Sequence, residues 1–459
     1  MLRGLLPVTL ERIESLRNFY TIELEPIKKK ALKGRQINSF GFTLDTYLRI
    51  LSGGSDAEKQ TESFINMQEN LKKHIDVVDQ CEQDGTKKIM YRLINPDALK
   101  QKGFEVDPTI ASRRYRQFSE MPVIHSANTL IMLITRFEEF VAELLSQIYF
   151  MFPQQYLDNQ QVKFSDIVGI GIDEVRSNII DREIDYIMRK SYEEWFTIFS
   201  KHGMSFKACE SEMLGLKEVY ARRNIIVHNS GAVNSSYKKM VPHSTAKIGE
   251  YLISDSEYVN SAFSFVTTVI YTISIEAARL LGKNSEDYLI EIFNEAFEEL
   301  QKKNYRVCAN VFSQLSTNRG LDASTQLMSR VNNWISRIEL GEKKDVQKEV
   351  EQLDVSALSR EYLLAKLILL EQYDRAIGVL EQLYTSDRLS SHELETWPLF
   401  MHFRETDIYA QFKQKHAKDF EVSAVEVDQK PSNEDAANAK SISTSIECPE
   451  EMGNEATNV

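Results

Sequence analysis

Arg223 and His228 are the residues of this chain whose types and spacing could do chemistry together. A guanidinium is a planar, permanently charged fork that matches phosphate oxygens. An imidazole moves protons near neutral pH because its unperturbed pKa is about 6.5. The pair suits cleavage of a ribose-linked phosphodiester without a metal. In that reaction the 2′-hydroxyl attacks the adjacent phosphorus, one group moves protons, and a cation holds the charge of the phosphorane. Five residues on a helix span roughly 7.5 Å along its axis, a gap that long side chains can bridge. The two positions do not lie squarely on one face, so His228 is expected at a helix end or just beyond it. R-x4-H alone is a common string, and a cation in a last helical turn is favoured by the helix dipole whatever its use.

Helices must position this pair. Gly and Pro number only 18 and 10, too few for the many tight turns of a strand-rich protein. From Pro122 the pattern is sharply helical: at about 100° per residue, Leu130, Leu133, Ile134, Phe137, Phe140, Val141, Leu144, Leu145 and Ile148 share one face, and Pro153 closes the helix. Glu138 sits at the margin of that face and Glu139 points away from it. A second helix is expected from Ile179 to about Phe199, with Ile180, Ile184, Ile187 and Met188 inward. A third rises through Leu214, Leu216, Val219 and Tyr220 into the motif and stops at Gly231. A fourth, Ser256 to Leu281, buries Tyr258, Ala262, Phe265, Val266, Val269, Ile273, Ala277 and Leu280. Four such stripes are what an up-and-down bundle requires.

The wider string Arg222-Arg223-Asn224-Ile225-Ile226-Val227-His228-Asn229-Ser230-Gly231 resembles the R-N-x-x-V-H-N-x-G form of the HEPN family's R-x(4-6)-H motif. The helix around Phe137-Glu138-Glu139-Phe140-Val141 is similar to that family's first long helix, which often carries an acid near the active site. The likeness covers about residues 122 to 282. It implies an all-α HEPN domain over 121–282 that homodimerises, brings two motifs to the dimer cleft and cuts RNA, often in toxin–antitoxin or antiviral abortive-infection systems. By the same resemblance Arg223 stabilises the transition state, Asn224 positions it, His228 moves protons or orients the phosphate, and Glu138 holds Arg223 or His228. Arg222 is an alternative arginine at R-x5-H spacing. With Asn229, Lys238 and Lys239, Arg222 is expected to contact the RNA. No cofactor and no metal are implied. Some HEPN domains have lost catalysis, so the alternative is a silent dimerisation and RNA- or nucleotide-binding adaptor.

Composition narrows the partners. The 459 residues suffice for two or three domains. The net charge of −13 excludes a blanket nucleic-acid binder, because polyanion affinity comes from Lys and Arg releasing counterions. RNA must therefore meet a local basic patch. Two basic clusters are candidates: Lys28-Lys29-Lys30 with Lys33 and Arg35, and Arg113-Arg114 with Arg116. Either also fits a plain solvated helix face. Cys81, Cys209, Cys308 and Cys448 are too dispersed for a zinc module or a disulfide framework and read as reduced thiols. The apolar run after Met1 is too short for a signal peptide, and no stretch reaches the ~20 apolar residues of a membrane span, which points to a cytoplasmic protein without membrane contact.

The flanks are less specific. Residues 1–120 read as a helical region of unknown role, broken at Ser52-Gly53-Gly54-Ser55 and Asp84-Gly85. Over 283–420 three similar segments place Cys308, Val346 and Ala376 at equivalent positions. Their spacing resembles that of tetratricopeptide repeats, which implies helical hairpins and a surface for a protein partner. Residues 421–459 lack aromatics, are acidic, and are expected to be disordered. Gly169-Ile170-Gly171 lacks the third glycine of a dinucleotide loop, and neither a Walker string nor H-E-x-x-H occurs. His74, His125, His202, His243, His392, His402 and His416 form no metal-ligand pattern, and Trp195 and Trp334 fit helix cores.

Overall fold

Helices carry the fold, in agreement with the all-α expectation, and among the described residues one two-stranded sheet is added to them. The computed structural model describes residues 2–83, 86–156, 161–282, 285–417 and 419–420. The tail over 421–459 and the Asp84-Gly85 pair lie outside the described residues. Contacts group the chain into two compact units, each discontinuous in sequence. One comprises the residues up to Glu11, Thr135–Tyr220 and those from Ser261 on; the other comprises Arg12–Ile134 and Ala221–Asn260. The segment 121–282 thus contributes to both.

The unit built on Arg12–Ile134 rests on two long helices, Leu5–Gly53 and Pro108–Met151, each of which has its other end in the first unit. They run antiparallel and very close. A Cβ on Gly34 would fall 2.2 Å from the Phe118 ring, and one on Gly41 would fall 2.4 Å from the Ala111 Cβ. Seven residues apart, the two glycines lie on one stripe of the helix and let the backbones approach. Phe42 stacks on Tyr115 with ring centroids 4.1 Å apart. Tyr20 stacks on the buried His125, whose Nε2 lies 3.2 Å from the Tyr20 carbonyl, so this histidine is a satisfied core residue.

A separate apolar cluster forms from Leu44 and Tyr47 near the end of the first helix with Phe64, Leu71 and Ile75 beyond Gly53. Here the expectation of a purely helical N-terminal region is corrected. Ile75–Gln83 and Thr86–Leu93 pair antiparallel, with Ile75 opposite Leu93 and a register shift between Val77 and Asp79. Asp-Gly between two runs holding Val, Ile and Tyr is a hairpin signal as well as a break. A second correction concerns Pro122, which lies inside the helix and does not begin it. Proline removes one backbone donor, a local loss that tertiary packing on both sides overrides.

In the other unit the face read from periodicity is buried: Phe137, Phe140, Val141, Leu144, Leu145 and Ile148 are all at most 1% exposed, as are Leu130, Leu133 and Ile134 on the same helix. The helix ends at Met151, next to Pro153 as expected. The single helix expected over Ile179–Phe199 is two, Ile172–Met188 and Tyr192–Lys201. Ser191 accepts from the Glu194 amide while the Glu194 carboxylate accepts from the Ser191 amide, a reciprocal cap that starts a new helix. Met188 is only half-buried, and Leu214, expected inward, is exposed.

On Ser256–Leu280 five of the eight residues expected inward are buried, Tyr258, Phe265 and Leu280 are only half-buried, and residues outside the stripe are buried too. Phe263, Thr267, Thr268, Ile270, Tyr271, Thr272 and Ser274 are buried beside Ala262, Val266, Val269, Ile273 and Ala277, so the helix is enclosed nearly all round. Among the described residues it is the one helix long and apolar enough to cross a membrane, and most of it is covered by protein. Further on, Tyr305–Leu315 packs against Ala323–Arg337, and Arg360–Leu369 against Tyr373–Thr385. Cys308, Val346 and Ala376, aligned from the sequence, are each 0% exposed. Trp195 and Trp334 are core residues whose indoles donate to the Ile187 carbonyl at 2.7 Å and to Glu349 Oε2 at 2.8 Å. Cys209 and Cys308 are buried free thiols, and burial pushes the first up to about 11.

Candidate active site

The motif occupies the last turns of one helix, Glu210–Asn229. Leu216, Val219, Tyr220, Ala221 and Ile225 are its buried residues, while Glu210 and Glu212 sit in the first turn, where the helix dipole favours acids. The stop read at Gly231 is observed. Ser230 and Gly231 both take left-handed backbone (φ 51° and 82°), and the Gly231 amide donates to the Ile225 carbonyl at 2.9 Å. The chain then pairs with the segment that follows. Ala232 bridges to Tyr251, the Val233 amide donates to the Glu250 carbonyl at 2.8 Å, and the Gly249 amide donates back to the Val233 carbonyl at 2.8 Å. Ala221, Ile225, Val233 and Tyr237 form a small core beneath, with Val241 and Leu252 against it. The helix end is therefore fixed on a packed platform.

His228 lies inside the last turn and is exposed. This is the helix end at which the spacing places it. Because the helix continues through it, the angular separation from Arg223 is that of a regular helix, about 140°. Asn224, one turn before His228, shares its face. Arg223 is half-buried and donates from Nη1 to Asn224 Oδ1 at 3.2 Å. Asn224 thus touches the arginine by a hydrogen bond and neighbours the histidine by helix geometry.

The two arginines are held differently. The Arg222 guanidinium lies 3.8 Å from the centroid of the Tyr258 ring and donates from Nη1 to the Ile253 carbonyl at 3.0 Å. The Asn229 amide donates to the Ala232 carbonyl at 2.6 Å, and Lys238 Nζ donates to the Ser244 carbonyl at 2.6 Å. Three of the four residues expected to contact RNA therefore tie the surrounding loops in place; Lys239 is exposed. Glu138 belongs to the other unit, is half-buried, and accepts a hydrogen bond from the Tyr220 hydroxyl. Glu139 is exposed and pairs with Arg136 at 2.7 Å.

Sequence reasoning missed Tyr220 and Tyr258 as polar partners, because both were read only as faces of apolar stripes. The available signal was the residue type. A buried tyrosine seeks a partner for its hydroxyl or offers its ring face to a cation, where phenylalanine would suffice for packing alone. Tyr220 also packs edge-on against Trp195 at 5.9 Å and, tilted, against Tyr192 at 5.6 Å.

Electrostatically the segment departs from the chain as a whole. Residues 221–260 hold Arg222, Arg223, Lys238, Lys239 and Lys247 against Glu250, Asp255 and Glu257, whereas the whole chain carries −13. Among the described residues no group of three or more His, Cys, Asp and Glu side chains is arranged to hold a metal ion. Comparison with family models, curated proteins and solved structures found no match to this chain.

Proposed function

We propose that this protein is a HEPN-type endoribonuclease that cleaves RNA by 2′-hydroxyl attack without a metal and acts as a homodimer. The observation that carries the reading is the exposed His228 in the last turn of a fixed helix, with Asn224 on its face and Arg223 hydrogen-bonded to Asn224. In the proposed reaction the 2′-oxygen forms a bond to phosphorus and the bond to the 5′-oxygen breaks. His228 moves the proton, and Arg223, oriented by Asn224, holds the phosphorane charge. Two side chains about 140° apart on one helix are poorly placed for one phosphate. A second copy supplying its own motif resolves this, which is why dimerisation belongs to the proposal. Such an enzyme fits a toxin or an antiviral effector in the cytoplasm, with the C-terminal helical pairs as the surface for a regulating protein.

A second reading is favoured by Arg222, Asn229 and Lys238, whose polar groups all satisfy backbone carbonyls. In it the segment is a catalytically silent dimerisation and RNA- or nucleotide-binding adaptor. Purified full-length protein incubated with total RNA in EDTA separates the two. The nuclease reading expects cleavage by the parent and none by Arg223→Ala or His228→Ala. Intact RNA with the parent at every concentration leaves the adaptor, and cleavage lost on adding EDTA contradicts the metal-free route.

A further inference from the structure

Two basic clusters far apart in the sequence come together in the unit that also carries residues 221–260. No acidic residue occurs between Glu25 and Asp45, a stretch that holds Lys28-Lys29-Lys30, Lys33 and Arg35. None occurs between Asp107 and Glu120, which holds Arg113, Arg114 and Arg116. The glycine-packed crossing of the two long helices joins them: Gly34 meets Phe118, Gly41 meets Ala111, and Phe42 stacks on Tyr115. In that antiparallel register Lys30 lies opposite residue 122, about 9 Å along the axis from Arg116. The Lys28–Lys30 run, Lys33, Arg113, Arg114 and Arg116 are all exposed.

Their present partners are weak. Lys28 pairs with Glu25 at 2.9 Å, Arg114 with Glu105 at 3.4 Å, and Arg116 donates to Ser112 Oγ at 3.4 Å. Exposed ion pairs of this kind contribute little and yield readily to a polyanion. In a chain of net charge −13, two acid-free stretches facing one another are a local reversal of sign. With a Debye length of about 8 Å at physiological salt, their fields overlap in part. Arginine forks add bidentate phosphate recognition to this general attraction.

We infer that this face binds the phosphate backbone of single-stranded RNA, as a docking surface apart from the cleavage residues. RNA, and not an acidic protein or a lipid surface, is the occupant because the same compact unit holds Arg223 and His228; to that extent the inference rests on the proposed function. Its test does not. Oligouridine with 2′-O-methyl groups keeps every phosphate but lacks the nucleophile, so it measures docking whether or not the protein cleaves.

The experiment follows fluorescence anisotropy of labelled 2′-O-methyl oligouridine with full-length protein across a salt series. Two triple variants, K28Q/K29Q/K30Q and R113Q/R114Q/R116Q, are compared with K302Q/K344Q/K413Q, which removes the same charge from the other unit. Each of the first two is expected to lower the slope of log affinity against log salt by about 0.7–1.4, one or two contacts at roughly 0.7 each, because neighbouring residues on a helix point about 100° apart. The third is expected to leave the slope unchanged. Because the triples lie on different helices, misfolding of one, seen by circular dichroism, leaves the other as the test. Slopes for both folded triples equal to that of the charge-matched control overturn the inference. So does equal or tighter binding of poly-glutamate, or of phosphatidylserine vesicles, that falls in the same two variants.

Discussion

Glu295 stands half-buried on the helix Glu286–Gln301 in a ladder with Glu291 and Glu299, one turn before and one turn after it. Burial comes first and the neighbouring Glu298 second in pushing its carboxyl up to about 7, with Glu291 and Glu299 adding to the effect and Lys302 opposing it. The buried Tyr271 phenol feels the same acids from the neighbouring helix, and Asn304 holds Glu299 at 2.6 Å. A carboxyl ordinarily near 4.5 and raised to about 7 makes ionisation cost about 3 kcal/mol at 1.36 kcal/mol per unit, and solvent at a half-buried position screens this to roughly 1–2 kcal/mol. The sign follows from linkage. The folded value lies above the unfolded one, so the folded state is fully favoured below the unfolded value and loses that advantage as pH rises through about 7. Glu295→Gln carries no such charge. Its unfolding free energy from urea titration is expected near the parent's at about pH 5 and above it at about pH 8, by roughly 1–2 kcal/mol. An equal difference between the two proteins at both pH values refutes the reasoning.

Two further outcomes follow from packing. Gly34→Ala places a methyl 2.2 Å from the Phe118 ring and is expected to destabilise by about 1–3 kcal/mol, with part recovered when Phe118→Leu is added; strictly additive effects in the double variant contradict the close approach. Tyr258→Leu removes the ring beneath Arg222, a loss of about 0.5–2 kcal/mol. Hydrogen exchange of the amides at Val233, Gly249 and Leu252 should quicken, and unchanged protection there argues that Arg222 does not anchor the platform.

Much of the helical framework was legible because burial on one side of a helix leaves a periodic trace. The nine apolar residues from Leu130 to Ile148 and the aligned Cys308, Val346 and Ala376 are all buried. The stop at Gly231 was legible because left-handed backbone favours glycine there. What escaped notice depended on partners distant in sequence or on short-range signals read too coarsely. Pro122 is tolerated because the helix through it is held on both sides by tertiary packing. The break at Ser191 was written in its reciprocal cap with Glu194 and overlooked. Ser256–Leu280 shows a stripe in sequence, yet its threonines and Ser274 are buried as well, since neighbouring elements enclose it nearly all round. In the candidate site, Arg223, Asn224 and His228 were named from their order on the chain. That Arg222 rests on Tyr258 and Glu138 on Tyr220 was not legible, because no local pattern links residues so far apart.

The ends of the cut RNA test the central proposal most directly. A synthetic RNA digested by the full-length protein in EDTA is analysed by mass spectrometry. Attack by the 2′-hydroxyl predicts a 2′,3′-cyclic phosphate or its 3′-phosphate product on one fragment and a 5′-hydroxyl on the other, with both absent for His228→Ala. Fragments ending in a 3′-hydroxyl and a 5′-phosphate would show that water attacked the phosphorus, and the chemistry assigned to Arg223 and His228 would be wrong.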